Sequence, residues 1–225
     1  MYNFEHMFLA IVPAYNEEKT IATVIKKILP HVDAVVVVDD ASTDSTVHKA
    51  QSAGAIVVQH ALNRGQGAAL ETGHEYARLN QADWVVHFDA DDQFHAEDIL
   101  PALECLKNSQ AHILFGSRFL GKESNIPWTK HYILFPLGKS INRMFGSLPL
   151  SDVHNGFRIL SKEALEKIRL THDRMAHATE ISVLAKKHGL AWVEFPVKVT
   201  YHRYGQGGIG AIRVVKDLFT GIFIR

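Results

Sequence analysis

Short apolar runs alternate along this chain with stretches in which apolar residues recur at helical spacing. Phe8–Val12 reads as a strand. Asn16 then offers an N-cap, with Glu17 and Glu18 in a first turn that favours negative charge. Ile21, Val24, Ile25, Ile28 and Leu29 fall on one face of the helix that follows. Ala34–Val38 is apolar at every position, as a parallel strand covered on both faces should be. A helix from about Ser45 to Ala53, a strand Ile56–Gln59, a helix from about Gly67 to Leu79 and a strand Trp84–Phe88 continue the pattern. A helix near Ala96–Leu106 and a strand His112–Phe115 complete it. This alternation predicts an α/β fold of βαβ units with right-handed crossovers, hence a mostly parallel central sheet flanked by helices.

From Gly116 to about Ser151 the alternation breaks. The stretch Ile126–Leu137 is rich in aromatics and interrupted by Pro127 and Pro136, and a helical stretch runs on to about Phe145. A strand near Gly156–Leu160, helices near Lys162–Ile168 and Thr179–His188, and a strand Trp192–Thr200 follow. In Ile209–Ile224, the residues Ile209, Ile212, Val215, Phe219, Ile222 and Phe223 share a face opposite Arg213, Lys216, Asp217 and Thr220. That last amphipathic helix has three readings: core packing, contact with a membrane surface, or the seam of a homodimer. There is no repeat and no linker, so residues 1–225 are expected to form a single domain.

Composition narrows the class. Hydrophobic residues are 47% of 225 and charged residues 21%, an ordinary globular balance. Lys+Arg and Asp+Glu both total 24, so the basic excess that bulk nucleic-acid binding requires is missing. The single cysteine, Cys105, excludes an internal disulfide and a cysteine-based zinc site. A reducing cytoplasm is the compartment that fits, either free or peripherally on the cytoplasmic face of a membrane. No run of 18 apolar residues and no basic leader are seen.

Ligands of open α/β sheets bind outside the carboxyl ends of the strands. Polar clusters stand where that rule puts them. Pro13–Glu18 follows the first strand, Asp39–Asp44 the second, Asn63–Gly67 the third and Asp89–Gln93 the fourth. Each one taken singly is also what a capped turn looks like. In the fourth, three aspartates and a glutamine within five residues would repel one another without a cation or ordered donors. Hard oxygen ligands with no thiolate nearby suit Mg²⁺ or Mn²⁺ shared with a substrate phosphate.

The ordered set PAYNEE, VVVDDASTD, NRGQGAAL, FDADDQ, GSRF and DVHNGFRILS resembles the family 2 glycosyltransferases of GT-A fold. The likeness is nearest the branch with dolichyl- and polyprenyl-phosphate sugar synthases and bacterial surface-polysaccharide transferases, and runs from about Phe8 to the end. It implies a nucleotide-sugar-binding half over 1–116 and an acceptor-binding half over 117–225. By the resemblance, Pro13, Tyr15, Glu17, Asp39, Asp40 and Asp89 hold a UDP- or GDP-sugar, and Asp91 with Gln93 hold the metal. Relatives carrying Lys where this chain has Gln66 leave the base contacts open. Arg118 and Arg203 match arginines that hold an acceptor phosphate, work for which the planar guanidinium is suited. The acceptor is expected to be a polyprenyl phosphate or a glycan, and the displacement to invert the anomeric carbon.

Asp152 is the expected proton acceptor if the acceptor is a hydroxyl, with Glu180 as the substitute. A phosphate acceptor is already anionic and needs no base. Arg158, His154, His177 and His202 are open between site and structure. Two other functions compete: a sugar-1-phosphate nucleotidyltransferase and a non-catalytic nucleotide-sugar binder. Against the first, PAYNEE stands where a glycine-rich, arginine-bearing phosphate loop would be; against the second, Asp89, Asp91, Asp152 and Arg203 are retained. A NAD-linked enzyme is disfavoured because no GxGxxG follows the first strand.

Overall fold

A computed structural model describes residues 6–121, 146–174 and 176–200. Arg203, His202, the aromatic stretch 126–137 with its following helix, and the amphipathic helix 209–224 lie outside them. The strands are β1 (Phe8–Ala14), β2 (Ala34–Asp39), β3 (Ile56–Gln59), β4 (Trp84–His87), β5 (Ile113–Ser117), β6 (Arg158–Ser161) and β7 (Trp192–Pro196). The helices between them are α1 (Ile21–Ile28), α2 (Thr46–Ser52), α3 (Gln66–Leu79), α4 (Ile99–Asn108), α5 (Lys162–Lys167) and α6 (His177–Lys187). All seven strands join one sheet in the order β3-β2-β1-β4-β6-β5-β7. It is parallel except at β6, which runs antiparallel to both β4 and β5.

The continuous apolar runs are explained by two cores, one on each face. Alternate residues of β1 divide between them: Phe8, Ala10, Val12 and Ala14 face α1 and α4, while Leu9 and Ile11 face α3. In β2, Val35 and Val37 take the first side, Val36 and Val38 the second. This is the period of two expected of a strand buried on both faces. Helix α3 approaches β1 through small residues, and a Cβ at Gly73 would collide with Ile11. Helix α1 buries Ile21, Val24, Ile25 and Ile28, four of the five residues of the stripe read from the sequence; the fifth, Leu29, lies just past the helix end and is half-buried.

One expectation about α1 is corrected. Asn16 is not its N-cap, because the helix begins at Ile21 with Thr20 at the cap position. Asn16 instead adopts φ 56° and ties two loops together. Its N–H donates to Ser42 Oγ at 2.8 Å and its Oδ1 accepts from the Thr43 N–H at 2.9 Å. Asn tolerates the left-handed region better than most residues, which suits it to that turn. No helix among the described residues is long and apolar enough to cross a membrane.

Candidate active site

A cleft of about 430 Å³ opens at the carboxyl edge of the parallel strands. Pro13, Tyr15 and Glu17 enter it from the end of β1, Asp40 from β2 and Gln66 from the start of α3. Asp89, Asp91 and Gln93 come from the end of β4, and Arg118 from β5. His154, Asn155 and Gly156 close it just ahead of β6, whose reversed direction brings its leading loop to the same edge.

Asp89 and Asp91 sit where two carboxylates crowd each other. Burial pushes the Asp89 carboxyl up to about 7, and the negative charge of Asp91 adds to the effect, against the pull of Arg158. Gln66 Nε2 donates to Asp89 Oδ1 at 3.0 Å. Gly156 lies against the same carboxylate, so closely that a Cβ there would fall inside contact distance of Oδ2. Glu17 is also raised, by burial first and then by the charges of Asp91 and Asp44. Asp91 Oδ1 accepts the Gln93 N–H at 3.2 Å, which folds the turn. Asp92 stands at φ 60° and accepts from Lys27 Nζ at 2.7 Å, so α1 holds the turn from outside the cleft.

Asp40 is anchored differently. Burial acts to raise its carboxyl, yet N–H donors from Arg64 and Gly65 together with His60 hold it below the usual carboxylate range. Of the two neighbouring aspartates only Asp40 lines the cleft. Asp39 is fully buried, and its Oδ2 accepts the Ser42 N–H at 3.1 Å.

Neither of the two expected base residues lines the cleft. Asp152 is buried and does not line the cleft; Arg118 grips it fork to fork, Nε to Oδ2 and Nη2 to Oδ1, both at 2.6 Å. Asp152 Oδ2 also accepts the Arg118 backbone N–H at 3.1 Å. Glu180 faces away, into the segment ahead of α6. It accepts from the Thr171 N–H at 2.9 Å, the Thr171 hydroxyl at 2.6 Å and the His172 N–H at 3.1 Å. His177 is buried, its ring donating to the Arg174 carbonyl. Arg158 is fully buried, with Nη2 donating to the Val153 carbonyl at 3.2 Å; burial lowers its pKa to about 10.

Sequence reasoning left three contributors unassigned. Gly156 and Asn155 stand within the DVHNGFR motif, so their signal was present. His60 follows β3 at the ligand edge and supports Asp40 from behind, a relation no local pattern displays.

A sheet of this order with an acidic cleft at its carboxyl edge is the GT-A architecture. The model of glycosyl transferase family 2 matches residues 9–169, and the chain belongs to that family: it is a glycosyltransferase. It is 37% identical to an uncharacterized protein of Methanocaldococcus jannaschii, over 96% of this chain and 91% of that one. It is 31% identical to the UDP-N-acetylglucosamine–dolichyl-phosphate N-acetylglucosaminyltransferase of Methanococcus voltae, over 89% of this chain and 88% of that one. Among solved structures, glucosyl-3-phosphoglycerate synthase from Mycobacterium tuberculosis, in complex with Mg²⁺ and UDP, superposes with a TM-score of 0.70. That likeness covers 96% of this chain and 79% of the other at 22% identity, and speaks for the fold.

Proposed function

We propose that this glycosyltransferase moves a sugar, with inversion, from a UDP- or GDP-sugar to a polyprenyl phosphate, working at the cytoplasmic face of a membrane. Pro13, Tyr15, Glu17, Asp40 and Asp89 bind the donor in this reading, with Asp39 supporting the Asp40 loop from within. Asp91 and Gln93 hold Mg²⁺ or Mn²⁺. The donor set fits such an ion, since it offers hard oxygens and crowded carboxylates that a cation would relieve. When bound, the ion offsets charge on the departing diphosphate.

The acceptor phosphate oxygen forms the new bond to the anomeric carbon as the bond to the nucleoside diphosphate breaks. Arg118 lines the cleft and receives the acceptor phosphate, and Arg203 is assigned the same task. The observation that carries this choice of acceptor is the Arg118–Asp152 fork. A buried carboxylate whose two oxygens are both held by a guanidinium, and which does not line the cleft, is placed to aim that guanidinium rather than to meet an acceptor hydroxyl. The relative that transfers to dolichyl phosphate supports the same choice.

Transfer from UDP- and GDP-sugars to a short polyprenyl phosphate, with and without EDTA, tests the reading. Activity should vanish with the chelator and in Asp91→Ala. For Asp152→Asn the acceptor KM should rise about tenfold while kcat stays within about threefold. A kcat loss of about 10² or more at unchanged acceptor KM would restore Asp152 as the base and point to a hydroxyl acceptor.

A further inference from the structure

Behind the cleft wall, the imidazole of His60 bridges Asp40 and α3. Its Nδ1 lies 2.8 Å from Asp40 Oδ1, and its Nε2 lies 2.9 Å from Thr72 Oγ1. The ring is buried, with 9% of the side chain exposed. Its backbone is fixed as well, the His60 N–H donating to the Asp39 carbonyl at 2.9 Å. The ends of β2 and β3 and the middle of α3 thus meet in one imidazole.

The chemistry sets the direction of each bond. A carboxylate only accepts, so Nδ1 must carry a proton, and in the neutral ring Nε2 then accepts from the Thr72 hydroxyl. The other tautomer would aim a lone pair at the carboxylate. Asp40 Oδ1 also accepts the Arg64 N–H at 2.9 Å, and Oδ2 the Gly65 N–H at 2.6 Å. These donors occupy three of the roughly four acceptor positions of a carboxylate. Both backbone donors come from the 63–67 loop; among the described residues, only His60 holds the Asp40 carboxylate from the β3 side.

We propose that His60 is a positioning residue for donor recognition: its Nδ1–H fixes the orientation of the Asp40 carboxylate in the cleft, and Thr72 fixes His60. This rests on the reading that Asp40 faces a nucleotide. Without the ring, the carboxylate keeps its loop donors but gains a void behind it, and its orientation is no longer unique.

Calorimetric titration of the full chain with UDP and with GDP, in Mn²⁺, tests the proposal. His60→Ala should weaken the better-binding nucleotide about tenfold, and Thr72→Val about threefold. His60→Asn, whose amide nitrogen can replace Nδ1–H, should stay within about threefold of wild type. His60→Gln reaches the Thr72 side instead and should be as weak as His60→Ala, which keeps the comparison available if the alanine variant does not fold. Histidine ring ¹⁵N spectra should show the Nδ1–H form.

Wild-type affinity in His60→Ala or His60→Gln, or an Nε2–H tautomer, overturns the proposal while leaving the cleft assignment intact. If Asp40→Ala binds as wild type does, or the wild type binds neither nucleotide, the cleft reading fails and this proposal falls with it.

Discussion

A methyl group at position 156 would press on the carboxylate of Asp89, because a Cβ there lies inside contact distance of Oδ2. Gly156→Ala should therefore keep the fold but lower kcat/KM for the donor by about tenfold or more, since Asp89 must shift in the cleft. Unchanged steady-state kinetics would show that the carboxylate has room to move. Glu180 asks for the opposite outcome. Its oxygens hold Thr171 and His172, and the next carbonyl, that of Asp173, accepts the Ala68 N–H at 3.0 Å at the start of α3. Glu180→Gln keeps one acceptor and should leave kcat within about threefold, whereas a general base so changed would cost about 10² or more. Gly156 stood within the DVHNGFR motif with no role assigned, and Glu180 was read as the substitute base. What Glu180 holds was not visible, because its partners are set by the fold of a loop.

At the scale of elements, the acidic turn after β4 is shaped from outside. Lys27 on α1 reaches Asp92 at 2.7 and 2.9 Å, across 65 residues of sequence. That contact keeps Asp92 out of the cleft while Asp91 and Gln93 line it. Lys27→Ala should leave stability nearly unchanged, since an exposed pair contributes about 0–1 kcal/mol. It should raise the Mn²⁺ concentration for half-maximal activity about threefold, by loosening the turn. A metal titration with no shift would make the pair decoration.

The alternation of apolar runs and helical stripes made β1 to β5 legible, and α1's buried stripe matched the expected one except for Leu29, which falls past its end. The direction of β6 was not legible, since a four-residue strand carries no mark of whether its neighbour runs with or against it. Nor could spacing reveal that Asn16 bonds to Ser42 and Thr43 rather than capping α1. The rule that ligands bind at the carboxyl edge reached the clusters that hold Asp40, Asp89, Asp91 and Gln93, and the family resemblance singled out those residues and Arg118. Neither could separate Asp39 from Asp40 or see that Asp152 is bound to Arg118.

The whole molecule carries an acid liability in its second core. His74 on α3, His87 on β4 and His177 on α6 are buried, and the first two share a contact of 2.7 Å between their Nε2 atoms. Burial lowers all three, His177 to about 4, with the charge of Arg158 adding to the effect on His87 and His177. The unfolded chain protonates these rings near pH 6.5, while the folded chain resists. Their contribution is therefore present above pH 6.5 and lost as the pH falls toward 4. For His177 the loss is about 3 kcal/mol. Asp89 opposes it: the folded carboxyl holds its proton up to about 7, so below that pH its protonated form favours the folded state. Glu17, raised by burial as well, acts in the same sense as Asp89; with three histidines against these two carboxyls, the urea midpoint should fall between pH 6.5 and 4. His177→Asn should flatten the profile, and Asp89→Asn should steepen it by removing an opposing group. Denaturation at a series of pH values checks all three slopes. A midpoint that holds level in the wild type, or a profile that flattens in Asp89→Asn, would mean that these buried groups do not govern the acid response.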